Sequence, residues 1–331
     1  MEQSSFAASN EGHPEEQSAE QLDEQLDEHV VAMREAFMRE HLGVATSTKR
    51  KEGGQASLAE QIDSAEALGF SDVQFDFRHQ SDENVAEAID TLLAYREKHP
   101  DAILSVHGET AGIDSKTLAV KNNERVRNEI NLALVAGAES YTMHPPSVSM
   151  ELFKTLPQAI VEKAFDAYCA SYAEALAPAV RGSKNGEAKS NKRFSLALEN
   201  MNTSGNDGAW GQTPEELLSL AARLEQALIK TAGIEPAEAH AYIGATLDIN
   251  HALHGTEPER YEEILTRWIE ALGDRLKVVH LYAPSEANPD LKRKYDLTIN
   301  LAARHCPDAR IFLESKQTGE TTKEVFDALK Q

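Results

Sequence analysis

The sequence predicts a single α/β domain, a (β/α)8 barrel, on three observations. Short apolar runs alternate along the chain with segments of helical pattern, and this alternation favours parallel strands joined by crossover helices. Six of the runs end in a His, Asp or Glu, and in a closed parallel barrel the strand ends meet at one mouth. The length of 331 residues lies within the range of one α/β barrel.

An acidic tail and an extra helix precede the barrel in this prediction. Residues 1–19 are polar and rich in Ser, Gln and Glu, so we predict a disordered tail. Residues 20–41 carry apolar side chains at steps of three and four, which predicts a helix that either packs outside the barrel or makes a homo-oligomer contact. Residues 43–331 are then the TIM barrel, and 20–331 form one domain.

Eight strand-like runs follow one another along the barrel segment. Each is rich in Val, Ile, Leu, Phe or Thr and is too short for a buried helix. Residues 181–193 form a basic insert ahead of the fifth run, on the face opposite the mouth, and are predicted to be a solvated loop. The predicted strands cover residues 43–47, 71–77, 103–107, 140–144, 194–199, 243–248, 276–280 and 310–314.

Capping patterns place several helices between these strands. Thr213 and Glu216 form a capping-box pattern with Pro at the first helical position, and Thr256 and Glu259 repeat the pattern before a later helix. Apolar spacing and Gly or Pro stops predict the others. These helices cover residues 58–68, 83–98, 115–136 and a segment that extends through Tyr172.

Charge, cysteine content and hydropathy narrow the class of protein. The net charge is −22, and nine acidic residues precede Arg34 with no Lys or Arg among them. A duplex-binding protein needs a basic face to displace counterions, so this balance argues against nucleic acid and favours a small-molecule substrate. Cys169 and Cys306 lie in no CxxC pattern, which indicates reduced thiols. With neither a membrane-spanning apolar run nor a signal pattern, we expect a cytoplasmic protein.

The strand-end residues form a predicted metal site. The two strands before Glu199 end in His107 and His144, which can hold a second ion with Glu199 as a bridge. Imidazole nitrogen and carboxylate oxygen without thiolate suit Mn²⁺, Zn²⁺ or Fe²⁺, so one such ion is expected and a second has a place. His251 is a candidate substrate contact. The ligands expected for the first ion are Glu199, Asp248, His280 and Glu314.

These residues lie in motifs that resemble one superfamily. The resemblance is to the xylose-isomerase-like TIM barrels, which include sugar (phosphate) isomerases and epimerases and also endonuclease IV. It covers nearly everything from Gly43 to Leu329. The motifs are LALEN around Glu199, LDINHA around Asp248 and His251, VVHL around His280, FLE around Glu314, and HPPS after His144.

The epimerase branch of the superfamily provides the first functional hypothesis. Its residues that match the four ligands of the first ion bind one Mn²⁺ or similar ion. This resemblance implies a metal-dependent isomerase or epimerase of a small hydroxy-carbonyl compound, a sugar or sugar phosphate, in which Glu199 and Glu314 move a proton through an enediolate. Trp210 is a candidate lid over the substrate, and Arg293 is a candidate partner for a substrate phosphate or carboxylate. The alternatives are loop packing for Trp210 and a solvated charge for Arg293.

The endonuclease IV branch provides the alternative, a zinc-dependent phosphodiesterase that acts as an AP endonuclease. Residues that match His107, His144 and His251 belong there to a three-zinc cluster, so this hypothesis predicts at least two ions. That branch completes its third zinc site at positions where this chain has Arg293 and Tyr295, a departure that argues against cleavage of DNA. A third hypothesis is a non-catalytic scaffold that works through its N-terminal helix and acidic tail.

Overall fold

Eight parallel strands close into a barrel in the computed structural model of this chain. The order is β1 to β8, and the barrel closes because β1 pairs with both β2 and β8. The predicted (β/α)8 fold is confirmed. The structure describes residues 31–46, 56–78, 82–114, 117–146, 155–184, 194–202, 210–282, 289–314 and 320–330. The strands are β1 (Leu42–Ala45), β2 (Val73–Asp76), β3 (Leu104–His107), β4 (Ser140–Met143), β5 (Ser195–Glu199), β6 (Ile243–Asp248), β7 (Leu276–Tyr282) and β8 (Arg310–Glu314).

Helices surround the sheet, and at least one separates each pair of consecutive strands. Residues 31–41 form helix α1, which leads directly into β1. None of the described helices is long and apolar enough to cross a membrane. The remaining helices are α2 (Leu58–Ala67), α3 (Asp82–Lys98), α4 (Asn123–Val135), α5 (Gln158–Lys184), α6 (Pro214–Ala232), α7 (Pro236–Tyr242), α8 (Ile249–Ala252), α9 (Tyr261–Leu272), α10 (Pro289–His305) and α11 (Glu320–Lys330).

One predicted helix start is confirmed and another is wrong. Thr213 caps α6, because its hydroxyl accepts a hydrogen bond from the Glu216 amide at 3.3 Å. The similar pattern at Thr256 caps no helix. The Thr256 amide instead donates to the Leu253 carbonyl at 3.0 Å and closes the preceding turn, so a short 3₁₀ turn intervenes and α9 begins only at Tyr261.

Two further boundaries differ from the predicted ones. α4 begins at Asn123, later than predicted, because Ile113 and Val120 pair as an isolated antiparallel bridge in the loop after β3. α5 continues past Tyr172 to Lys184, so the first residues of the predicted basic insert are helical. Residues 1–30 and 185–193 lie outside the described part of the chain, and the predicted tail and the rest of the insert stay predictions.

The barrel interior holds a line of hydrogen-bonded polar side chains. The Gln74 amide donates to the hydroxyls of Ser105 (3.0 Å) and Thr142 (3.2 Å). The Thr142 and Thr246 hydroxyls lie 3.0 Å apart, and all four residues are buried. These bonds connect β2, β3, β4 and β6 through the centre of the sheet, so they help to fix the register of the strands whose last residues form the mouth.

Candidate metal centre

The strand ends bring the predicted ligands into one cluster at the mouth. Four of the residues, His107, Glu199, Asp248 and Glu314, end their strands, and His144 directly follows β4. His280 lies within β7, where it pairs with Asp248 of β6. His251 lies on α8, three residues after Asp248. Their ligand atoms form three overlapping groups, and within each group the atoms lie within 4.8 Å of one another. We call these seven residues the mouth cluster. The groups are His107–His144–Glu199, Glu199–Asp248–His251 and Asp248–His280–Glu314.

Glu199 lies at the centre of the mouth cluster. Its Oε2 atom is 3.1 Å from His107 Nε2 and 3.4 Å from His144 Nε2. Its Oε1 atom is 3.6 Å from His280 Nδ1 and 3.7 Å from His251 Nδ1. The side chain is only 2% exposed. One buried carboxylate therefore faces two imidazoles with each of its oxygens.

Several buried polar atoms of the mouth cluster lack hydrogen bonds. They are His107 Nε2, His144 Nε2, Glu199 Oε2 and both ring nitrogens of His280, and none has a hydrogen-bond partner within the described part of the chain. More than about 90% of buried polar groups in proteins are hydrogen-bonded, so five such atoms in one place need an explanation. Divalent cations that took these atoms as ligands would explain four of the five, because a neutral His280 offers one lone pair and keeps a proton on its other nitrogen. The donor set contains imidazole and carboxylate without thiolate, which fits Zn²⁺, Mn²⁺ or Fe²⁺.

Asn200, the residue directly after β5, forms hydrogen bonds that hold two members of the mouth cluster in place. Its side chain donates to the Asp248 carbonyl (3.0 Å) and accepts from the Asp248 amide (2.6 Å). Its backbone carbonyl lies 2.8 Å from His251 Nδ1 and accepts a hydrogen bond from that nitrogen. The bond leaves Nε2 of His251 with its lone pair, in the manner of metal-binding histidines whose other nitrogen is held by the backbone.

Opposite pKa shifts affect two buried histidines of the mouth cluster. Burial, and then the nearby Arg78 guanidinium, lower the pKa of His107 to about 3, so its imidazole is neutral and able to bind an ion. Burial also lowers the pKa of His280, but the carboxylates of Glu199, Glu314 and Asp248 outweigh it and raise that pKa to about 9. Without an ion, His280 therefore carries a proton at neutral pH.

Ion binding at pH 7.5 is expected to release about one proton, because a cation that takes His280 as a ligand must displace the proton held with a pKa of about 9. Titration calorimetry with Mn²⁺ in two buffers of different ionisation enthalpy measures this number, and buffer-independent heats would contradict it.

In the ion-free protein, the same raised pKa stabilises the fold fully below the ordinary value of 6.5, and the contribution is lost as the pH rises through about 9.

Asp76, the last residue of β2, and Arg78, two residues later, stand beside the mouth cluster and were not predicted from the sequence. Asp76 ends β2, and Arg78 Nη2 lies 2.8 Å from Asp76 Oδ2 and 3.4 Å from Glu314 Oε1. The signal was present, because Asp76 is a strand-end carboxylate like Glu199. It was hidden because the apolar alternation continues through Phe77, which is buried, and so extends the apparent strand beyond its real end.

Two predicted substrate contacts, Trp210 and Arg293, belong to none of the three ligand groups of the mouth cluster. Trp210 is partly buried, its ring lies 4.8 Å from that of Phe165, and its indole N–H donates to the Glu216 carbonyl at 3.1 Å. Arg293 lies exposed on α10. The structure does bring His251, the third predicted contact, into the cluster. The proposed roles of Trp210 and Arg293 in substrate binding stay predictions.

Comparison with known proteins identifies the fold. No family model and no curated protein matches the chain. Among solved structures, endonuclease IV from Thermus thermophilus superposes with a TM-score of 0.50 and 19% identity over 87% of this chain and 98% of that one. D-allulose 3-epimerase from Methylomonas sp. superposes with a TM-score of 0.48 and 16% identity over 83% of each chain. The IolI protein with a bound zinc atom gives 0.47 and 11%, over 88% of this chain and 94% of that one.

The chain has the (β/α)8 TIM-barrel fold, which it shares with the endonuclease IV structure. In this barrel, the mouth cluster occupies the carboxyl ends of β3 to β8. Active sites of (β/α)8 enzymes are built at this end of the barrel. The fold therefore locates the site but leaves the reaction to be argued from the residues themselves.

Proposed function

We propose that this chain is a metal-dependent phosphoester hydrolase that works with two divalent ions bridged by Glu199. The position of Glu199 carries the proposal. One of its oxygens faces His107 and His144, and the other faces His280 and His251. A carboxylate with imidazole ligands available on both sides is suited to bridge two ions, although His251 would bind through Nε2 because its Nδ1 donates to the Asn200 carbonyl. Paired ions are typical of phosphatases and nucleases.

The chain's own residues divide into a floor and a rim. His107, Glu199 and His280 are at most 3% exposed and form the floor. His144, His251 and Glu314 are about a quarter exposed and form the rim that a substrate reaches. When bound, two ions would clamp the attacking and leaving oxygens of an in-line displacement. The floor excludes water from Glu199 and holds its orientation.

The proposed substrate is a small phosphoester rather than duplex DNA. The net charge of −22 repels a polyanion and offers few cations for counterion release. The two positions predicted to depart from endonuclease IV are also placed poorly for metal binding. Tyr295 is 4% exposed, on the face of α10 that packs into the hydrophobic core, and Arg293 is exposed on the same helix.

The test combines an ion count with three substrates. Elemental analysis of purified protein is expected to give two ions per chain. Protein loaded with Mn²⁺ or Zn²⁺ is expected to hydrolyse bis(p-nitrophenyl) phosphate or p-nitrophenyl phosphate but not an abasic-site duplex at low salt. Efficient incision of the duplex would overturn the small substrate. One ion or none, with no ester hydrolysis under any of Mn²⁺, Zn²⁺ and Fe²⁺, would overturn the hydrolase.

The sugar isomerase or epimerase is the second candidate, and Glu314 favours it. This carboxylate belongs to the Asp248–His280 group and is 25% exposed, so a substrate in the mouth could reach it. The candidate ranks second because Glu199, the other proton carrier, is 2% exposed and surrounded by imidazoles. C–H exchange of ketohexoses in D₂O tests it: exchange that is lost in Glu314→Gln would favour the epimerase, and no exchange by the wild type would remove it.

A further inference from the structure

The loop after β2 holds an arginine rigidly at the mouth. The Asp76 Oδ1 atom accepts hydrogen bonds from the Arg78 amide (2.9 Å) and from Nε (3.0 Å), and Oδ2 accepts one from Nη2 (2.8 Å). Gln61, buried on α2, makes two hydrogen bonds to the backbone of Asp76. Its Nε2 donates to the Asp76 carbonyl (3.1 Å), and its Oε1 accepts from the Asp76 amide (3.1 Å). A bidentate pair on an anchored strand end fixes the plane of the guanidinium.

The other edge of this guanidinium is underused. Asp76 occupies the edge formed by Nε and Nη2. The edge formed by Nη1 and Nη2 has one long contact, 3.4 Å from Nη2 to Glu314 Oε1. Nη1 makes no hydrogen bond with any residue in the described part of the chain. The side chain is 23% exposed, so solvent reaches part of it.

The position of Arg78 complements the mouth cluster. The ligands of the cluster come from β3 to β8 and the segments that follow them, and neither β1 nor β2 contributes to any of the three groups. The guanidinium thus stands on the side of the mouth without ligands, next to the rim carboxylate Glu314. A substrate that binds to ions held by the cluster therefore has a fixed cation beside it.

We propose that Arg78 binds a non-bridging phosphoryl oxygen of the substrate through its Nη1–Nη2 edge. The inference rests on the proposed hydrolase and names the residue that recognises the phosphoryl group. The planar fork of Arg matches phosphate oxygens in geometry, and a cation fixed in advance stabilises charge that develops during displacement. Asp76 is a positioning residue, because it orients the fork without facing the substrate.

A purely structural role for Arg78 makes a different prediction. If the guanidinium only held Glu314 in place, its removal would disturb the Asp248–His280–Glu314 group, and the ion count would fall. If it binds phosphoryl oxygen, the ions stay and the affinity for phosphate falls. Ion count and phosphate affinity, measured on the same preparations, separate the two roles.

The experiment measures binding of inorganic phosphate to the Mn²⁺-loaded protein by calorimetry. Arg78→Met is expected to weaken phosphate binding about 10- to 100-fold with an unchanged ion count, since a hydrogen bond to a charged group is lost. Arg78→Lys keeps a cation beside Asp76 if the methionine variant fails to fold, and it is expected to weaken binding less. Arg310→Met is the matched control. Arg310 is 15% exposed and paired with Glu139 at 3.1 Å at the opposite end of the barrel, so its loss should leave phosphate binding unchanged.

Three outcomes overturn the inference: no phosphate binding by the wild type, unchanged affinity in the Arg78 variants, or loss of ions in those variants. Failure of the proposed function looks different. Phosphate binding that depends on Arg78, in a protein that hydrolyses no ester, would keep the phosphoryl site and remove the hydrolase. Ester hydrolysis together with binding that is independent of Arg78 would do the reverse.

Discussion

Glu199→Gln is expected to reduce the bound ions from two to one or none and to lower ester hydrolysis at least about 100-fold. Glutamine keeps the size of the side chain, but its amide nitrogen has no lone pair for a cation, so the two sets of imidazoles lose their bridge. Loss of an outer partner of a ligand already costs about 10- to 100-fold, and a shared ligand should cost more. Elemental analysis and the nitrophenyl ester assay measure both effects.

Glu225→Gln is the matched control for this change. Glu225 is a partly buried glutamate outside the mouth cluster, 13% exposed and 2.5 Å from Arg275 on the outer layer of the barrel. Its replacement should leave the ion count and the rate of hydrolysis unchanged. Two tightly held ions in Glu199→Gln would contradict the bridging role, whatever the rate.

Gly108→Ala is expected to destabilise the protein by an amount at or above the upper end of the about 1–3 kcal/mol typical of overpacking. A Cβ atom on Gly108, the residue after His107, would lie 1.9 Å from the Cζ and hydroxyl oxygen of Tyr141. The ring cannot retreat cheaply, because its hydroxyl donates to buried Glu129 at 2.7 Å. Urea denaturation of the ion-free protein measures the free energy of unfolding.

Gly112→Ala provides the control within the same loop. The nearest atom to a Cβ there is Lys121 Cβ at 4.0 Å, an ordinary contact. We expect the free energy of unfolding of this variant to lie within about 0.5 kcal/mol of the wild-type value, as is usual for substitutions without a steric conflict. Equal denaturation midpoints for the two alanine variants would show that Tyr141 relaxes without loss and would refute the steric argument.

The order of the barrel elements could be predicted from the sequence because each depends on local apolar pattern. The helix starts were harder. Asn122 and Leu118 adopt positive φ angles of 60° and 58°, and their residue types do not require this. Such a path delays α4 until Asn123 although the preceding residues are compatible with a helix. The competing loop is stabilised by its own hydrogen bonds, such as that from the Lys121 amide to the Gly112 carbonyl at 2.8 Å, and by burial of Ile113 in the core.

The mouth cluster could be predicted because strand ends in a parallel barrel converge regardless of sequence separation. His107 and Glu314, for example, are far apart in the chain and are both strand-end residues of the same mouth. Arg78 could not be placed in this way, since it follows β2 by two residues and reaches the mouth only through its pairing with Asp76. Trp210 packs against Phe165, a tertiary contact that no local pattern predicts.

Asp248 ends β6 and begins α8, and this double position constrains its replacement. One oxygen of its carboxylate, Oδ1, accepts the amides of Asn250 and His251 at 2.7 and 2.9 Å. A glutamate at this position would place its carboxylate one methylene further from the backbone. It could not accept the two amide hydrogen bonds of α8 and also face a cation in the mouth. A cation held by Asp248 would therefore be thermodynamically linked to the folding of a single helical turn. Amide hydrogen exchange at residues 249–252 is expected to be faster in the ion-free protein than in the ion-loaded protein.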